Sequence, residues 1–125
     1  MFFPRFDGYD MLTTPQKDLL HAVSDLLVKL NLSLLNKEET FARICMEKSY
    51  YEFLEMMIVH KDNDHDLGLW IRSEEFEAIV FYGPDHWHYG ESYGFDENNW
   101  IPNAIQKIEE WLVKYFEPLS SGGLS

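Results

Sequence analysis

Two short stretches hold most of the residues able to do chemistry. Asp62-Asn63-Asp64-His65-Asp66-Leu67-Gly68 alternates carboxylates with other residues, as a loop that offers hard oxygen ligands to calcium would. The match to an EF-hand loop then fails. Leu67 stands where that loop needs its glycine, and Ser73 stands where it needs a bidentate glutamate. A solvated turn between strands is the plainer reading.

Asp85-His86-Trp87-His88-Tyr89-Gly90-Glu91 is the second stretch. On an extended chain His86 and His88 share one side, and Trp87 and Tyr89 share the other. Paired imidazoles beside carboxylates suit a transition metal, but a third ligand is not identifiable among His60, His65 and Glu91. No cysteine pair and no His-Glu-x-x-His spacing supports zinc. The commoner arrangement is a strand packed through Trp87 and Tyr89, with a polar opposite face. Hydrolase, P-loop and dinucleotide signatures are missing too, and no carboxylate pair stands in an apolar setting that would tune a general acid. The sequence therefore favours a non-enzymatic protein without a cofactor.

Binding is the stronger reading. Trp70, Trp87, Tyr89, Tyr93 and Trp100 are interspersed with Asp62, Asp64, Asp66, Asp85, Glu91, Asp96 and Glu97. Aromatic anchors with an acidic surround suit a basic protein surface, the aromatics carrying energy and the charges setting on-rate. About half of these aromatics are expected in the core instead. The candidate protein-binding set is Asp62, Asp64, Asp66, Asp85, His86, Trp87, His88, Tyr89 and Glu91.

Charge points the same way. Ten Lys and Arg face twenty-two Asp and Glu, a formal net of −12. Residues 1–50 hold six basic and seven acidic side chains, whereas residues 51–125 hold four and fifteen. Such a field repels phosphate backbones and anionic lipid, which argues against nucleic-acid and membrane partners. It attracts a basic protein, although solubility alone explains the charge of many acidic domains.

Certain elements must position these residues. With 125 residues, 46% of them apolar and 16% aromatic, the chain can bury one core without staples. One domain over residues 1–117 is expected, with a loose tail at 118–125. Cys45, the single cysteine, sits between Ile44 and Met46 and reads as a small buried hydrophobe. No stretch approaches the ~20 apolar residues of a membrane span. The start lacks a secretory pattern, so a reducing cytoplasm is the expectation.

A turn is expected at Asp7-Gly8. Thr14 is expected to cap a helix with Pro15 at its first position. Leu19, Leu20, Val23, Leu26, Leu27 and Leu30 give that helix one apolar face, and Asn31 its end. Asn36–Glu39 reads as a turn or the start of a second helix, and Phe41–Glu47 as a first strand or the rest of that helix, with the strand favoured. Further strands are expected over 53–60, 67–72, 76–82 and 86–89. Ile79 and Phe81 alternate with Phe76, Ala78, Val80 and Tyr82, which predicts a central strand covered on both sides. A closing helix carries Ile101, Ala104, Ile105, Ile108, Leu112, Tyr115 and Phe116 on one stripe, with Trp100 and Trp111 at its edges. The fold class is α+β: an N-terminal helix, an antiparallel meander of three to four strands, and a C-terminal helix packed on the sheet.

In this arrangement the chain resembles the small acidic immunity proteins of bacterial polymorphic and contact-dependent toxin systems. The resemblance covers about residues 66–117. It rests on the strand Glu75-Phe76-Glu77-Ala78-Ile79-Val80-Phe81-Tyr82-Gly83, on Trp87-His88-Tyr89, and on the closing helix. Gly90 follows Tyr89, where those families place a second histidine or an aromatic. The resemblance implies stoichiometric inhibition of a basic toxin domain, such as a nuclease, by a monomer or weak homodimer. It carries no inhibitory contact over to a particular residue. A regulatory or scaffold domain and a metal-dependent enzyme using His86 and His88 are the alternatives.

Overall fold

The computed structural model describes residues 2–47, 51–61, 68–74, 76–82, 89–94 and 98–116. After a 3-10 turn at Tyr9–Met11 come helix α1 (Thr14–Leu30), strands β1 (Phe41–Glu47), β2 (Tyr51–Val59), β3 (Gly68–Ser73), β4 (Glu77–Tyr82) and β5 (Tyr89–Gly94), and helix α2 (Trp100–Tyr115). The strands form one antiparallel sheet in the order β1-β2-β3-β4-β5. The expected α+β meander is therefore correct, with five strands rather than three or four.

Helix α1 begins one residue earlier than its sequence suggests. Thr13, not Thr14, is the cap. Its hydroxyl accepts from the Gln16 amide while the Gln16 side chain accepts from the Thr13 N–H. This reciprocal box satisfies two amides that the first turn cannot, and Pro15 fits just inside it. Asn31 ends the helix as expected, in the left-handed region at φ 46°. Asn36 makes a turn instead of starting a helix. Its carbonyl accepts from the Thr40 N–H at 3.1 Å, and its side chain accepts from the Glu39 N–H at 3.2 Å. Leu35 bridges His60, stitching this connection to the end of β2.

The core lies on one face of the sheet. Leu54, Met56, Ile58, Leu69, Ile71, Ala78 and Val80 meet Leu19, Leu20, Val23 and Leu27 of α1 and Ala104, Ile108 and Leu112 of α2. Trp100 belongs to this core rather than to a binding surface. Ser24, fully buried on α1, accepts from the Phe3 N–H at 3.3 Å and holds the first residues against the helix. Among the described residues, no helix is long and apolar enough to cross a membrane.

Candidate protein-binding face

Alternation along each strand sends half of the side chains away from the helices. On that second face the register sets Phe41, Met57, Trp70, Phe81 and Gly90 side by side across all five strands. The next row is Arg43, Glu55, Arg72, Ile79 and Ser92. Beyond it lie Cys45 beside Phe53 and Glu77 beside Gly94. Trp70 and Phe81 pack with centroids 5.1 Å apart, and Phe41 is 39% exposed. Met57, Val59, Ile79 and Phe81 are each half-buried.

The edge strand shapes this face. On the helix-free side β5 supplies Gly90, Ser92 and Gly94, so among the described residues this strand sets no large side chain beside Phe81 or Ile79, whose large neighbours are Trp70 and Arg72 of β3. As expected, β4 is an interior strand, paired with β3 on one side and β5 on the other; both helices lie on the opposite face from Ile79 and Phe81, which are half-buried. Cys45 is half-buried on the same open face rather than in the core.

The polar groups of the face are organised. Glu55, with a side chain only 7% exposed, accepts from Arg43 Nε at 2.6 Å. That hydrogen bond and the carboxylate's charge raise the Arg43 pKa above its ordinary value. Arg72 places its guanidinium 4.1 Å from the Phe53 centroid and reaches Glu74 at 3.2 Å, so an arginine stem and head cover much of that ring.

The predicted site residues are distributed differently. Asp62, Asp64, Asp66, Asp85, His86, Trp87 and His88 lie outside the described residues, as does most of the stretch considered for calcium. Tyr89 opens β5 opposite Tyr82. Glu91 points to the helix side, away from Trp70, and accepts from the Tyr93 hydroxyl. There it lines a shallow cavity of about 210 Å³ with Tyr93, Lys107, Glu110, Trp111 and Lys114. Burial and donation to Glu91 push the Tyr93 phenol up to about 12. Sequence reasoning named Trp70 as a possible anchor but missed Phe41, Met57 and Phe81. Their signal was the presence of apolar residues on both sides of β2 and β4.

Searches against protein-family models, curated proteins and solved structures returned no match for this chain. Its class is therefore an α+β meander with both helices on one face of the sheet.

Proposed function

We propose that this domain is a stoichiometric protein inhibitor of the immunity type, which binds and neutralises a basic toxin domain. The observation that carries the reading is the charge asymmetry: fifteen acidic against four basic side chains over residues 51–125. A field of that size speeds encounter with a positive partner and disfavours acidic ones. The open, partly aromatic sheet face supports the reading, because a stable complex needs apolar anchors as well as charge. An acidic inhibitor of this kind acts by covering the positive surface that its target uses on a polyanionic substrate.

The test is stoichiometric and functional. Untagged protein serves as bait in lysate of its source cells, and any partner is identified and then expressed alone and together with this chain. A basic partner that binds one to one, is released by salt, and arrests growth only when expressed alone bears the proposal out. A partner that is harmless alone, or whose binding is indifferent to salt, overturns it.

A further inference from the structure

We infer that the edge of β5 and the neighbouring flank of α2 form a groove that takes an extended peptide as an added strand and seats one of its tyrosine side chains against Trp111. The inference stands apart from the inhibitor reading, because a strand from any partner can be added in this way.

The backbone sets the demand. Among the described residues β5 pairs only with β4. An edge strand turns the N–H and C=O of every second residue outward, about three residues for a strand of this length. Proline and lysine commonly guard such an edge, and Tyr89–Gly94 contains neither.

The wall beside this edge distinguishes it from β1. Of all the strands, α2 lies most closely along β5. Glu91 and Tyr93 of the strand, with Lys107, Glu110, Trp111 and Lys114 of the helix, line one cavity of about 210 Å³. Helical spacing gathers 107, 111 and 114 on one flank of α2, and strand parity puts Glu91 and Tyr93 on the helix side of β5. A peptide laid against β5 sends every second side chain to that same side, where the cavity opens. Main-chain bonds to a free edge and a pocket for alternate side chains are the two halves of recognition by strand addition.

The lining selects the side chain. Two carboxylates face two ammonium groups there: Glu91 accepts from the Tyr93 hydroxyl, and Lys107 reaches Glu110 at 3.5 Å. A charged entrant gains one partner only by meeting a like charge, whereas a neutral ring meets neither penalty. A cavity of about 150 Å³ holds benzene, so this one has room for one aromatic ring. The half-buried indole of Trp111 offers it a stacking surface, and the bond from Trp111 Nε1 to the Tyr93 hydroxyl at 2.7 Å fixes the plane of that indole. The lysine ammonium groups favour a ring face beside them. A phenol adds a donor for the Glu110 carboxylate, which favours tyrosine over phenylalanine.

The experiment uses amide NMR on the full chain, titrated with a capped peptide of threonine, valine, tyrosine, valine and threonine. This order reads the same in both directions and suits either strand orientation. Expected are shifts at the Glu91, Ser92 and Tyr93 amides and at the Trp111 indole, with none at Ala42, Arg43 and Ile44 on the other edge. Replacing the peptide's tyrosine by alanine, or Trp111→Ala in the protein, weakens binding by about tenfold. Replacing that tyrosine by glutamate abolishes binding, and Glu110→Lys, at an exposed helix position chosen to leave the fold intact, restores it. Two N-methylated copies, one at the valines and one at the other three residues, block opposite edges of the peptide, and one of the two fails to bind.

Shifts at β1 instead of β5, or none at about 1 mM peptide, overturn the groove. Both N-methylated copies binding like the parent overturn strand addition. An alanine peptide as tight as the tyrosine peptide, or a glutamate peptide that wild type accepts, overturns the role of the cavity. A doubled mass in sedimentation with β5 amides protected assigns the edge to a second copy. Protection of β5 lost on deleting residues 118–125 assigns it to the chain's own tail, and either result overturns the proposal.

Discussion

The indole Nε1 of Trp111 donates to the Tyr93 hydroxyl at 2.7 Å, and that hydroxyl donates in turn to Glu91. Edge strand β5 is thus fastened to α2 by a short polar chain at the end of the meander, where no further strand is paired among the described residues. Tyr82 stacks on Tyr115 at 3.6 Å nearby, extending the same seam.

This fastening has a pH signature. The Tyr93 phenol ionises near 10 in an unfolded chain but only near about 12 in the fold, first because burial disfavours the phenolate and then because the proton is donated to Glu91. Its folded pKa is raised, so its contribution is complete below pH 10 and is lost as pH climbs towards about 12. Urea unfolding at about pH 8 and about pH 11 should show a loss of stability that is smaller in Tyr93→Phe than in the wild type. Part of the loss should persist in that variant, since burial also raises Tyr82. An identical alkaline loss in both proteins would remove Tyr93 from the explanation.

Gln16 joins helix and sheet more tightly than its polar side chain suggests. Its amide nitrogen donates to the Ser73 and Glu74 carbonyls, each at 2.9 Å, while its oxygen accepts from Thr13 N–H at the same distance. The residue is 3% exposed, so loss of the side-chain amide strands buried carbonyls. Gln16→Leu should cost about 2–4 kcal/mol in chemical denaturation. Gln16→Glu should be worse at neutral pH, because a carboxylate would face two carbonyl oxygens. That variant should recover as pH falls, when the protonated acid can donate to one of them. Its folded pKa is raised, so its stability is retained below the ordinary glutamate range and lost above it. A pH-independent penalty would show that the amide does not hold the turn.

The Arg43–Glu55 pair offers a third test. Glu55 is almost covered, whereas the Arg43 side chain is 58% exposed, so water screens one partner and not the other. Arg43→Ala leaves a near-buried carboxylate without its partner and should cost about 1–2 kcal/mol, less than a fully buried pair. Adding Glu55→Leu removes that carboxylate and should restore much of the loss. A double variant no more stable than Arg43→Ala alone would mean that the pair is not the source of the cost.

The fold was legible because its signals are local. The leucine spacing of α1, the stripe of α2 and the alternation of β3 and β4 each stand within one segment, and each formed as its pattern implies. Which side of the sheet the helices pack on was harder to read. Ile79 and Phe81 are as apolar as Ala78 and Val80, and alternation cannot distinguish a second covered face from an open one. Only the placement of both helices on one face settles that. Glu91 illustrates the same limit: composition grouped it with the other acidic residues, but strand parity turns it towards α2 and Tyr93. Thr13 and Thr14 could each cap α1, and only the reciprocal bond with Gln16 chooses between them.

Gly68 gives the last prediction. In the sequence it looks like the end of an acidic, calcium-like stretch, but the structure gives it a steric role. A Cβ placed there would lie 2.3 Å from the Ile58 carbonyl oxygen, in a sheet where Val59 pairs with Gly68 itself. That neighbour is backbone, so β2 and β3 would have to separate before any side chain could fit. Gly68→Ala should therefore destabilise the domain by about 2–3 kcal/mol, although alanine ordinarily gains over glycine by restricting the unfolded chain. Hydrogen exchange locates the damage: protection should fall first at the Gly68 end of the β2–β3 ladder, while the α1 and α2 amides follow only global unfolding. A neutral or stabilising Gly68→Ala would mean that β3 can start further from Ile58, and that the glycine is there for the connection before it rather than for the close strand approach.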